Sequence, residues 1–148
     1  MTFIRHLLLL SGLSLLCALP LAAQQSTNVD SLSSCAADCF RQNDLQRACT
    51  LYEEVLRLDP SHLQANIFLG SYYFLEAERS RSALEADYRH LSSPTRMQSA
   101  DFRNRMSTLL QTRYAAAKRY LQRAQSHLPS TEVAHTLSVI AALEQKYL

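Results

Sequence analysis

Glycine is almost missing from this chain: of 148 residues only Gly12 and Gly70 lack a side chain. A phosphate-binding loop or a dinucleotide-binding turn needs several glycines, so that backbone N–H groups can reach the phosphates. Those functions are excluded. The strand pattern is missing as well. Valine and threonine nowhere alternate with polar residues over a useful length, so no sheet is expected and the fold class is all-α. Prolines number four, and Pro20, Pro60, Pro94 and Pro129 act as punctuation, because none can continue a helix. The redox motif C-x-x-C and the haem-attachment motif C-x-x-C-H do not occur. No serine or cysteine stands in a nucleophile motif. Glu53 and Glu54 point in different directions on a helix and do not make an acid/base pair. His62, His90, His127 and His135 are scattered, without ligand spacing to one another. No catalytic residue, cofactor or metal site is expected.

What is present begins with Arg5-His6, an apolar run from Leu7 to Leu19, and Pro20-Leu21-Ala22-Ala23-Gln24. This order of charged, apolar and small-residue regions is that of a secretory signal peptide, residues 1–23, cut after Ala23. The apolar run is short for a membrane span of ~20 residues. Cys17 follows Leu16 rather than a small residue, which disfavours a lipid anchor there. The expected product is exported, periplasmic or secreted. Nucleic acid is not an expected partner in that setting, and membrane contact is not expected either. Residues 24–148 suffice for one domain.

Charge is unevenly placed. Residues 24–78 hold three arginines against eight carboxylates, net −5, whereas residues 79–148 hold eleven basic side chains against five acidic ones, net +6. Such asymmetry can orient a partner or pair two copies head to tail, so a homo-oligomer stays open. It also fits the solvated faces of long helices.

Residues 24–28 read as a flexible leader. A first helix is expected from Asp30 to Gln42, capped by Asn28 or Asp30, and Asn43-Asp44 makes a turn. The second helix spans Leu45 to Leu58, with an apolar stripe of Leu45, Ala48, Tyr52, Val55 and Leu56. From Leu63 no Gly or Pro intervenes between Gly70 and Pro94, so a third helix can reach Leu91. Ser93 is the expected cap of a fourth, starting at Pro94 and running to His127. These two long helices make an antiparallel hairpin projecting beyond the body. Leu84, Tyr88 and Leu91 would close on Phe102, Met106 and Leu109. Ser130 caps a last helix whose apolar face is Val133, Leu137, Ile140 and Ala141.

The most informative motif is Leu69-Gly70-x-x-Tyr73, preceded by Ala48-x-x-x-Tyr52 and Asp59-Pro60. It resembles the tetratricopeptide repeat, a 34-residue helix–turn–helix unit with W-x2-L-G-x2-Y, A-x3-F and a closing proline. Asn66 stands where that family carries Trp. Ala117, Leu121, Ala124 and Pro129 match a closing half, and Pro60 and Pro129 lie 69 residues apart, one period plus 35. The resemblance implies antiparallel helix pairs over residues 29–148: two repeats plus a capping helix, the second repeat interrupted by a helical hairpin at about 79–112. It also implies a groove for a protein or peptide partner, lined by Ser33, Ala37, Phe40, Arg41, Gln64, Ile67, Ser71 and Phe74. Phe40, Ile67 and Phe74 would be apolar anchors and Arg41 a carboxylate clamp. An alternative is that Ile67 and Phe74 pack against the last helix.

Three cysteines follow the signal segment. Cys35, Cys39 and Cys49 read as buried small hydrophobes, with a Cys39–Cys49 bridge and a thiol or metal site as the alternatives. The expected function is a non-catalytic adaptor or scaffold of the bacterial cell envelope. The alternative is a self-associating structural subunit.

Overall fold

The computed structural model describes residues 19–148, with side chains from residue 28 onward. The signal-peptide expectation therefore falls largely on residues 1–18, outside the described residues. Every regular element described is helical: α1 (Leu19–Arg41), α2 (Leu45–Leu58), α3 (Leu63–Arg89), α4 (Arg96–Leu109), a π-helical turn (Leu110–Tyr114), α5 (Ala115–His127) and α6 (Thr131–Tyr147). α4, the π turn and α5 follow one another without a break. The expected all-α class is observed.

Local chemistry sets most boundaries. Asn43 takes a left-handed φ of 62°, tolerable for asparagine, and turns the chain. Asp44 then caps α2 by accepting the Arg47 N–H at 3.1 Å. α2 stops at Leu58 because Asp59-Pro60 cannot extend it, and His62 caps α3 by accepting the Ala65 N–H at its Nδ1. Ser130 accepts the Val133 N–H to open α6.

Three boundaries depart from expectation. Residues 24–28, expected as a flexible leader, lie inside α1, and neither Asn28 nor Asp30 is a cap. The stretch from Leu21 to Gln25 holds no Gly or Pro, and its alanines and glutamines are good helix formers, so nothing local stops the helix. The fourth helix is capped by Thr95 rather than Ser93 and starts at Arg96 rather than Pro94. Thr95 Oγ1 accepts the Gln98 N–H while Gln98 Oε1 accepts the Thr95 N–H at 2.8 Å. This reciprocal pair satisfies two helix-end donors and outcompetes a lone serine. α3 also ends at Arg89, short of Leu91.

Two packed clusters share α3. Val29, Ala36, Cys49, Tyr52, Val55, Leu56, Ala65 and Leu69 bind α1, α2 and the first half of α3 together. Ala77, Leu84, Met106, Leu110, Tyr114, Ala117, Leu121, Val133 and Ile140 bind the rest of α3 to α4, α5 and α6. Tyr73 packs against both. Each fully buried aliphatic such as Val55, Leu69 or Ile140 contributes about 1.5–3 kcal/mol.

The close approach of α3 and α5 occurs at Gly70. A Cβ there would stand 2.7 Å from Cγ and Cδ2 of Leu121 and 3.2 Å from its backbone nitrogen. The two long helices between them do form an antiparallel hairpin, closed by Tyr88 stacked on Phe102 at 4.3 Å and by the Tyr88 hydroxyl on Ser99 at 3.0 Å. The hairpin does not project alone, however. α6 lies along it, with Tyr147 edge-on to Phe102 at 6.2 Å and Ile140 buried in the shared cluster. Leaving Leu84, Met106 and Leu110 bare would cost more than α6 loses by lying down.

The π turn has a local origin. Thr108 and Thr112 hydroxyls donate back to the carbonyls of Asn104 and Thr108 at 2.9 and 2.8 Å, an arrangement that bends and loosens a helix. The wider turn places Tyr114 fully inside, where its hydroxyl donates to Glu78. The Arg81 guanidinium holds the Glu78 carboxyl below its ordinary range, with the Tyr114 hydroxyl adding to this against the opposing effect of burial.

Gly70→Ala should destabilise the fold by about 1–2 kcal/mol in denaturant titration, overpacking exceeding the gain in helix propensity. Combined with Leu121→Ala it should cost less than the sum of the two single changes, since the new methyl fills part of the cavity. Tyr114→Phe should lower stability by about 1 kcal/mol at neutral pH. A carboxylate pKa depressed in the fold stabilises above its unfolded value, and that stability is lost as pH falls through the folded one. The Tyr114→Phe deficit should therefore shrink on acidification through the carboxylate range, which paired melts at pH 7 and pH 3 would read.

Candidate functional site

Side chains of α1 and of the first half of α3 meet along one face, and the row carried over from the repeat family falls on both. Ser33 is buried, and its hydroxyl donates to Gln64 Oε1 at 3.4 Å. Ala37 is half-buried, and Gln64 and Ser71 are exposed. Phe40 is 53% exposed while its ring edge meets Phe68 at 5.5 Å. Phe68 in turn rests on Tyr52 at 4.6 Å and stacks over Tyr72 at 6.2 Å. Ile67, 38% exposed, precedes Phe68. The structure thus brings Ser33 to Gln64, and Phe40 to the turn carrying Ile67.

Two of the expected residues do other work. Phe74 turns away to pack edge-on to Tyr114 at 6.1 Å, against the second cluster. Its ring partner belongs to the π turn, and the cluster it joins also holds Val133 and Ile140 of the last helix. Arg41 pairs with Asp38, one turn back, and both side chains are exposed. The outward position goes to Leu75, 56% exposed, which the sequence reading missed. The spacing Ile67, Ser71, Leu75 at i, i+4, i+8 was the signal that could have found it.

Aromatic contacts continue inward. Tyr72 meets Tyr73 at 5.5 Å, and Tyr73 stacks on Tyr120 of α5 at 5.9 Å. The Tyr73 hydroxyl donates to Glu53 Oε1 at 2.7 Å, and burial followed by that hydrogen bond pushes its pKa up. Exposed Phe40 is therefore the outer end of a packed aromatic row with a fixed base. Such a row can bind apolar side chains with little loss of conformational freedom.

Cys35, Cys39 and Cys49 are free thiols. Cys35 is exposed, and Cys39 and Cys49 are buried. Cys39 lies beside Cys35, and its pKa is raised by burial first and by Cys35 second. Cys49 Sγ donates to Glu53 Oε1 at 3.9 Å. Burial, then the Glu53 charge, pushes the Cys49 thiol up to about 11. The cysteines do not converge on one point, and among the described residues no three His, Cys, Asp or Glu side chains gather in metal-ligand fashion.

A second recess lies on the hairpin, at the end of α3 and the start of α4. Leu84, Tyr88, Leu91, Met97 and Phe102 form its apolar lining, with Asp87, Gln98, Asp101 and Arg105 at its edges and a volume of about 440 Å³. Met97 is 80% exposed. Sequence reading placed Tyr88, Leu91 and Phe102 as hairpin packing and missed the opening between them.

Cys35 is exposed and should be the first thiol to react with a maleimide at pH 8. Because thiolate is the reactive form, Cys49 should react about a hundredfold more slowly until the chain is unfolded. Mass spectrometry of partially labelled protein would check the order.

No protein-family model matches the chain. No curated protein matches it either. Among solved structures it is similar to a crystal structure from Bacteroides ovatus, described provisionally as a protein-binding protein, with 42% identity and a TM-score of 0.77. The likeness covers 81% of this chain and 58% of that one, so the chain spans less than two thirds of that structure's length.

Proposed function

We propose that this chain is a non-catalytic protein-interaction module of the tetratricopeptide type, exported to the bacterial envelope, that holds a protein or peptide partner on the α1/α3 face. The observation that carries the reading is the row of Phe40, Ile67 and Leu75, large apolar side chains left exposed while Ala65, Leu69, Ala77 and Leu84 of α3 are buried. Exposed aromatics with a packed base are the side chains that dominate binding at interfaces. The approach of Gly70 to Leu121 supports the repeat type, since a repeat's two helices need a small residue at their crossing. The Bacteroides ovatus structure, described provisionally as protein-binding, supports the interaction role and the bacterial setting. Export rests on the Arg5–Gln24 pattern alone.

Phe40→Ala combined with Ile67→Ala should weaken partner capture from envelope extracts by tenfold or more, about 1.4 kcal/mol, while the thermal midpoint moves only a few degrees. Unchanged capture by a folded variant would remove the α1/α3 face as the binding surface.

Self-association is the second reading, and the opposed charges of residues 24–78 and 79–148, −5 and +6, favour it. Light scattering at low and high salt separates the two. A self-associating subunit should grow at low salt and dissociate as the charges are screened, whereas an adaptor stays monomeric at both.

A further inference from the structure

Resting on the reading of this chain as a protein-interaction module, we infer a second docking surface: the open face of the α3/α4 hairpin, which accepts an amphipathic helix with an apolar face and lysine or arginine on its flank. The geometry starts from the two faces of the hairpin. α6 covers one, through Tyr147 on Phe102 and through Ile140 in the cluster with Met106 and Leu110. The recess between α3 and α4 is lined by no residue of α6. It continues toward the π turn as a shallower groove of about 300 Å³, which shares Leu84 and Arg105 with the first. Together they run from Ser80 to Tyr88 along α3, about 12 Å or just over two helical turns, and reach Leu91 beyond its end.

The dimensions and the floor suit a helix. Leu84 and Tyr88 lie one turn apart on α3, so they offer a ridge of apolar contacts at the spacing of an opposing i, i+4 pair. Met97 at the mouth is an unbranched side chain that can settle over whatever enters. The hairpin already packs an apolar helix face, that of α6, on its other side.

Charge selects among helices. Asp87 on α3 and Asp101 on α4 stand on opposite walls of the recess. Arg105, the one basic side chain in the lining, reaches Asp101 only at 3.9 Å, and Asp87 makes no ion pair among the described residues. Two exposed carboxylates across an apolar floor match a basic flank and repel an acidic one. Of the surrounding arginines, Arg79 is paired with Glu76 and Arg81 with Glu78 and Glu85, while Arg89, Arg96 and Arg103 are exposed and stand outside the lining.

The absence of tryptophan from the protein gives a clean readout. The probe is a synthetic amphipathic peptide of about 18 residues, long enough to hold helix, with leucine on one face, lysine on its flanks and one tryptophan among the leucines. The expected result is a saturable one-to-one blue shift of tryptophan emission. Asp87→Arg with Asp101→Arg should weaken it tenfold or more, as should Met97→Glu, and Phe40→Ala should leave it unchanged. All these side chains are exposed, so the variants should fold, and circular dichroism verifies that. Equal binding of a peptide with glutamate in place of lysine, or no saturable binding, would overturn the inference. Loss of binding in Phe40→Ala with retention in the charge variants would move the helix to the α1/α3 face. That outcome overturns this inference and leaves the proposed function standing; the extract capture through Phe40 and Ile67 tests that function separately.

Discussion

The contact between Gly70 and Leu121 is the constraint that organises everything else. A missing side chain lets α3 and α5 approach until a Cβ at residue 70 would stand only 3.2 Å from the Leu121 backbone nitrogen. Once those backbones are locked, the intervening chain has only one compact course, out along α3, back through α4 and across the π turn. Closing so long a segment costs chain entropy, but that cost grows only slowly with length. It is offset by burial of Leu84, Met106, Leu110 and Tyr114, which the hairpin brings to the same cluster. The position of α6 follows, since that cluster has one further side to cover.

Directional contacts then hold the helices in register where apolar packing alone would let them slide. The Tyr73 hydroxyl on Glu53 ties α3 to α2, the Tyr114 hydroxyl on Glu78 ties the π turn to α3, and Lys118 Nζ at 2.7 Å from Glu144 ties α5 to α6. Ion pairs within a single exposed helix, such as Arg57 with Glu54, add little by comparison. Because α3 participates in both clusters, its two halves form one rigid rod. The α1/α3 face and the α3/α4 recess are thus presented at a fixed separation, a geometry suited to one extended partner or to two at once.

What was legible in the sequence was what local chemistry decides. α2 has the bounds its cap residue and Asp59-Pro60 dictate, and α6 starts where Ser130 dictates. Local competition already limited the rest: Thr95 with Gln98 displaces Ser93 because two reciprocal bonds exceed one, and the spacing alone does not weigh them. The site was less legible. Phe74 and Leu75 differ by about 100° around α3, and which of them faces outward depends on Tyr114, forty residues later, arriving at Phe74 by way of the π turn. Nothing near residue 74 announces that arrival. The covering of the hairpin by α6 is non-local in the same sense, decided by apolar area that exists only after the hairpin closes.

The charge of the hairpin region shows why a regional sum is a poor guide to recognition. Residues 79–148 are net +6, which alone would suggest an acidic partner. Yet screening confines such effects to a Debye length of about 8 Å at physiological salt, so a helix in the recess responds mainly to the side chains that line it. Those are Asp87, Asp101 and Arg105, a local balance of opposite sign to the region as a whole. The long-range field can set the approach of a partner, while the lining sets what stays. A partner bearing both an acidic segment and a basic amphipathic helix would satisfy both, approaching through the first and docking through the second.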